Sequence, residues 1–218
     1  MGLDRQTPNY IVLEETKRAH LKLKTGKRAV KYEKKIRFEG ENIWLKEAWE
    51  GITRRKRRGQ ELPWDVDRRN FFERNGVGAL YVEECYDYKV LIEKIQEREI
   101  DVQKQQQYNS ILATRYNKAY KSSITLTTPQ YLTRRDNEIQ LLARFRCGNE
   151  VKASRFWEEA DKKICRMCRK EEETIEHVIY KCERTKMIGV PVEEVLDQSG
   201  KGLKYIRRIM EKRKIEEL

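Results

Sequence analysis

Within eighteen residues, Cys165-x2-Cys168-x8-His177-x4-Cys182 gathers three of the chain's five cysteines and one of its two histidines. Two thiols spaced by two residues, followed by a second pair of soft ligands, form the pattern that a tetrahedral structural zinc site needs. Three thiolates and a neutral imidazole around Zn2+ leave a net negative charge, and Lys163, Arg166, Arg169 and Lys170 stand close in sequence to offset it. Four protein ligands leave no position for water, so the expected ion is structural rather than catalytic. The competing readings of the cysteines are buried small apolar residues or a redox pair. Four such ligands in this order in so short a window favour the metal. Cys147 is read as a core residue after Phe145, and Cys85 and His20 as ordinary core or surface residues remote from the motif.

These ligands need two elements to position them. Cys165-Arg166-Met167-Cys168 suits one tight turn that aims both sulfurs at a common point. Thr174 is a good N-cap for a helix through Ile175, Val178 and Ile179, which places His177 in its first turn. The five residues from His177 to Cys182 correspond to about 140° around an ideal helix. Both can face one ion only if the helix ends near Lys181. The expectation is a hairpin turn with two sulfurs and a short helix whose start and end supply the other two ligands.

The rest of the chain reads as mainly α. Thr7-Pro8 opens a helix through Tyr10, Leu13, Lys17, His20 and Leu21, with a stop at Thr25-Gly26. A second helix carries Ala29, Tyr32 and Ile36 up to Gly40, and a third Leu45, Trp49 and Ile52. Arg54-Arg55-Lys56-Arg57-Arg58 is the densest positive run, closed by Gly59. Asp65 to Arg74 is a short helix that buries Phe71 and Phe72 and stops at Asn75-Gly76. The Asp65-x-Asp67 pair suits a helix start better than a metal site. One long amphipathic helix is expected from Tyr88 to about Tyr120, with Gln105–Gln107 as its weak point. Ser122 to Thr128 reads as a linker or short strand, Pro129 restarts helix, and Glu138 to Arg146 forms another helix. After Gly189 and Pro191, Val192 to Asp197 and Leu203 to Leu218 complete the C-terminal helices.

Composition bounds the function. A 38% apolar share of 218 residues is low for one large core, so compact pieces with charged surfaces are expected. The boundaries drawn are 1–121, a basic helical region; 122–189, a helix plus the CCHC module; and 190–218, the C-terminal helices. Forty-eight Lys and Arg against 36 Asp and Glu favour polyanionic partners, meaning nucleic acid or anionic lipid. No apolar run approaches a membrane span and the first thirty residues lack a signal peptide's apolar stretch. An intracellular protein, in nucleus or cytoplasm, is expected, and the cysteine usage suits a reducing compartment. Phe156, Trp157 and Tyr180 are read first as the small core of the metal module and second as stacking platforms for unpaired bases.

Cys165-x2-Cys168 followed by Glu173-Thr174-x2-His177-x4-Cys182 resembles the zinc-binding segment beyond the polymerase domain of non-LTR retrotransposon reverse transcriptases. Upstream, Arg115-Tyr116-Asn117-x2-Tyr120, Pro129-x-Tyr131-Leu132, Ala143-Arg144-Phe145-Arg146-x-Gly148-Asn149 and Phe156-Trp157-Glu158-Glu159 resemble the arthropod members of that family. Leu3-Asp4-Arg5-x-Thr7-Pro8-x-Tyr10-Ile11 is similar to the stretch just after the polymerase core. The chain departs from the pattern at Arg169, where the family often has glycine, and at Lys118-Ala119, which replaces a commonly bulkier pair.

The resemblance implies a thumb-like helical extension and a zinc module that grip template RNA or target DNA, alongside the polymerase portion of a longer polyprotein. It does not imply catalysis by this chain. Polymerase aspartates that hold two metal ions are missing, since no Asp-Asp dipeptide occurs. No Pro-Asp of a downstream nuclease occurs either, and only 36 residues follow Cys182. The groups assigned to phosphate contact are Arg54, Arg55, Lys56, Arg57 and Arg58, with Arg144, Arg146, Lys163, Arg166, Arg169 and Lys170 around the metal segment. The alternative is a zinc-stabilised protein-interaction module with incidental charge.

Overall fold

A computed structural model describes residues 1–39, 42–78, 87–134 and 138–216. Among these the chain is mainly helical and forms no strand, only an isolated antiparallel bridge between Ile164 and Glu172. Cys85 and the expected stop at Gly40 lie outside the described residues.

The first helix, α1 (Asn9–Thr16), follows Pro8 and ends where Lys17 turns left-handed at φ 51°. That is well before Thr25-Gly26. His20 then caps a new helix, its Nδ1 accepting the Lys22 N–H at 3.2 Å, and α2 (Leu21–Phe38) runs through Thr25 and Gly26 without a break. A glycine that reads as a stop is here a packing site, since a Cβ on Gly26 would lie 3.0 Å from the Phe71 ring. Asn42 caps α3 (Ile43–Arg57), which carries most of the basic run up to its end and closes near Gly59. Pro63 opens α4 (Pro63–Arg74), and the Asp65 carboxylate accepts the Leu62 N–H at 3.2 Å, as an acidic first turn should.

The long helix α5 (Tyr88–Leu112) passes Gln105–Gln107 unbroken but stops short of Tyr120. A separate 3-10 turn at Lys118–Ser123 swings the Tyr120 ring inward, where its hydroxyl donates to Glu15 at 2.8 Å. Ser122 to Thr128 forms no strand, and Pro129 restarts only a 3-10 turn, Gln130–Thr133. The last helices are α6 (Glu138–Arg146), α7 (Val192–Val195) and α8 (Leu203–Glu216).

The chain divides into two compact units, one of residues 1–18 with 107–218 and one of residues 19–106. Boundaries at 121 and 189 do not match this division, for a reason of burial. In the first unit Ile175, Val178 and Ile179 of the cysteine-rich segment share one core with Phe145 of α6, Val195 of α7, and Ile206 and Ile209 of α8. A segment of that length has too little apolar surface for a core of its own. The C-terminal helices are therefore the floor of the module rather than an appendage. The backbone approach is close, since a Cβ on Gly202 would lie 1.9 Å from the Val195 carbonyl oxygen. Ile11 of α1 joins the same unit against Ile111, Tyr120 and Cys147. The second unit packs Val30, Phe72, Tyr88, Leu91 and Ile95.

Inside the first unit lies a buried ionic knot. Arg146, 1% exposed, sets its Nε 2.5 Å from Glu15 Oε1 and its Nη2 2.7 Å from the Ser123 carbonyl oxygen, with Nη1 donating to the Leu196 carbonyl. Glu15 also accepts the Tyr131 hydroxyl at 2.6 Å. Burial first, and the adjacent Glu15 carboxylate second, push the Tyr120 and Tyr131 hydroxyls far above their ordinary range. Arg146 is thus no phosphate contact. Its donors are spent on α1, on the turn after α5 and on the end of α7.

Candidate metal centre

The hairpin forms as a tight turn. Cys165 donates its N–H to the Glu171 carbonyl at 2.7 Å, Arg169 donates back to the Cys165 carbonyl at 2.9 Å, and Glu173 closes onto Lys163 at 2.9 Å. This fold of the backbone requires a left-handed residue after the second cysteine, and Arg169 takes it at φ 54°. Glycine is the residue that adopts this conformation without steric cost.

The second pair of ligands comes from a short helical segment that starts as expected. Thr174 Oγ1 accepts the His177 N–H at 2.9 Å. The segment then widens into a π-helical turn, His177–Lys181, closed by the Cys182 N–H on the His177 carbonyl at 2.7 Å. An α-turn would leave residues five apart well out of line, whereas a turn closed from i to i+5 brings Cys182 back beneath His177. This widening is the local answer to the 140° problem.

The four ligand atoms of Cys165, Cys168, His177 and Cys182 all lie within 4.8 Å of one another. Cys165 Sγ and Cys182 Sγ are 3.9 Å apart, and Cys168 Sγ is 3.2 Å from His177 Nε2. Thiolate and imidazole ligands of a tetrahedral ion, at bond lengths of ~2.3 and ~2.0 Å, are spaced by about 3.5–3.8 Å along its edges. The cluster fits such an ion. Cys165 and Cys182 are fully buried and His177 nearly so, while Cys168 is partly exposed.

The surroundings favour ligation. His177 Nδ1 lies 3.3 Å from Glu171 Oε2, so a proton held on Nδ1 leaves Nε2 to face the sulfurs. Burial pushes the Cys165 thiol up to about 11. Burial would raise Cys182 too, but hydrogen bonds from the Thr185 hydroxyl, the Arg184 and Thr185 amides and the Cys165 thiol bring it down to about 7. Cys147, whose thiol burial pushes well above its ordinary value, stands apart in the α1 core and is no fifth ligand.

Arg166, which the sequence reading gave to phosphate, and Arg213, which it passed over, tie this centre to the unit through Glu173. Glu173 is wholly buried and accepts from Arg166 Nη2 at 2.8 Å and from Arg213 Nη2 of α8 at 3.3 Å. Arg213 also reaches Glu150 at 3.5 Å. The charge-rich helix α8 is thus anchored to the hairpin by one of its own charges. Nothing in the local pattern marks Arg213. Its place two turns beyond Ile206 on the apolar side of α8 is the only available signal.

The cations assigned to phosphate sort into three groups. Arg54 to Arg58 are exposed at the end of α3. Arg169 is exposed, and Lys170 is exposed but paired with Glu183 at 2.7 Å. The others are engaged internally: Arg144 with Asp4, Glu150 and the Gly2 carbonyl, Arg166 with Glu173, Lys163 at 4.9 Å over the Tyr116 ring, and Arg146 in its buried knot. Phe156, Trp157 and Tyr180 are not the core of the module. They are half-exposed, with Phe156 and Trp157 ring centroids 5.1 Å apart, and the core is made by the aliphatic side chains of the helical segment and α8.

Fold and site together define a mainly helical chain with a Cys3His cluster that could hold a metal ion. In comparisons with family models, curated proteins and solved structures, the chain matches none. Among the described residues, no helix is long and apolar enough to cross a membrane.

Proposed function

We propose that the ion is structural zinc and that the chain is a nucleic-acid-binding, non-catalytic part of a retrotransposon reverse transcriptase, gripping template RNA or target DNA. Zinc is favoured by a set of three soft thiolates and one imidazole whose ligand atoms all lie within 4.8 Å of one another. The observation that carries the binding reading is the placement of charge. Between Ala19 and Arg74 the sequence has 17 Lys and Arg against 9 Asp and Glu, and the run Arg54 to Arg58 lies exposed at a helix C-terminus. A row of exposed cations clustered at one helix end is what phosphate contact needs.

Filter binding across a salt series tests this. Affinity should fall steeply with salt, with a log–log slope of about 0.7–0.9 per phosphate contacted. No binding at low salt would refute it. One observation favours the second reading, a protein-interaction module: α3 has no buried residue, and an apolar trough of about 630 Å3 lies among α2, α3 and α4.

A further inference from the structure

Beside that trough, where α3 ends and α4 begins, is a smaller cleft of about 380 Å3, within the ~300–1,000 Å3 range of ligand pockets. Two indoles wall it, Trp49 and Trp64, with ring centroids 6.0 Å apart and planes nearly perpendicular. Its charged lining is Arg37, Lys56, Arg57 and Arg68 against one acid, Asp65, whose carboxylate already caps α4. The buried Glu33 holds Arg68 at 2.5 Å and Arg37 at 3.5 Å, so two guanidinium groups are fixed over the rings, Arg37 at 5.7 Å from the Trp49 centroid and Arg68 at 6.0 Å from the Trp64 centroid. Lys56 and Arg57, on the last turn of α3, stand at the solvent edge.

We propose that this cleft takes an unpaired nucleotide of a single strand, its base stacked on Trp64 and its phosphate met by Lys56 and Arg57. The argument is complementarity. A ligand suited to the cleft joins a flat apolar ring to an anion, and a nucleotide does so. Duplex nucleic acid conceals its base faces in the stack, whereas a single strand offers them to aromatic rings and guanidinium planes. The inference rests on the nucleic-acid reading above and deepens it by naming the strand form and the residues that read it. Stacking and phosphate contact differ in their response to salt, and this makes them separable.

The test uses the full chain and fluorescence anisotropy with a labelled single strand of about ten nucleotides, and with a duplex of the same length. Trp64→Ala should weaken single-strand binding about 5- to 100-fold at fixed salt, with the salt slope and duplex binding unchanged. Trp64→Phe should restore most of the loss, which separates stacking from misfolding. Lys56→Gln with Arg57→Gln should flatten the salt slope. Trp44→Ala, at a ring 76% exposed but outside the cleft, should change nothing. If Trp64→Ala binds like wild type, or loses single strand and duplex equally, the inference is overturned while the nucleic-acid reading stands. It is also overturned if an acidic aromatic peptide binds the wild type as tightly as the single strand and loses affinity with Trp64→Ala, since the cleft then serves a protein partner. Failure of the wild type to bind any nucleic acid at low salt overturns both.

Discussion

The two units use the same residue type in opposite ways. In the unit formed by residues 1–18 and 107–218, arginines are drawn inward: Arg146 onto Glu15, and Arg166 and Arg213 onto Glu173. In the unit of residues 19–106, among the described residues, Arg68 and Arg37 share the buried Glu33, and the densest cations stay at the surface on a helix that buries none of its residues. Positive charge in a sequence therefore does not by itself mark a phosphate contact. In the first unit it fastens helices around a small segment whose Cys3His cluster could hold a metal ion, and in the second the densest run is displayed.

The largest expected effect separates the units by metal. Structural zinc contributes about 10–16 kcal/mol of apparent binding free energy in small zinc modules, and that energy is folding energy. Chelation, or Cys182→Ser, should expose residues 163–182 and α8 to limited proteolysis while leaving residues 88–106 protected. Equal cleavage of both units would break the contrast. Next comes the ionic knot. Glu15→Gln or Arg146→Met leaves a buried partner uncompensated and should cost about 3–5 kcal/mol in denaturant unfolding, whereas replacing both with apolar residues should recover most of it. An exposed cation such as Arg55→Ala should fall within about 0.5 kcal/mol of wild type.

The pH dependence of metal affinity sharpens the same contrast. Binding requires thiolates and so releases protons, and affinity must fall as pH falls. Cys165, pushed up to about 11, yields a proton to the solvent at any ordinary pH, while Cys182, brought down to about 7, begins to yield one only below that. In a competition titration the slope of log affinity against pH should steepen by about one as pH drops through 7. The smallest effect is at the turn. Arg169 sits at φ 54°, and Arg169→Gly should stabilise the metal-bound unit by about 1 kcal/mol by removing the left-handed steric cost. Thermal unfolding would register it as a modest rise in Tm.

Much of the candidate centre was readable before the fold. Ligand type and spacing are local properties, and Cys165, Cys168, His177 and Cys182 do converge. The geometry that makes them converge, a π-helical turn, was posed by the sequence only as a difficulty in lining up His177 and Cys182. The helical class was readable too, but its stops were less so. Gly26 lies inside α2 because a ring from α4 presses on it, and the chain leaves α5 at Leu112 because Tyr120 has a partner in α1. Both are tertiary causes with no trace in the neighbouring residues. For the same reason Arg146 could not be told from Arg54 until Glu15, more than a hundred positions earlier, was placed beside it.

Native mass spectrometry of the full chain tests the central claim most directly. The account predicts one zinc ion per chain, absent from Cys182→Ser. A folded wild-type chain carrying no metal, with residues 163–182 still protected from exchange, would contradict it.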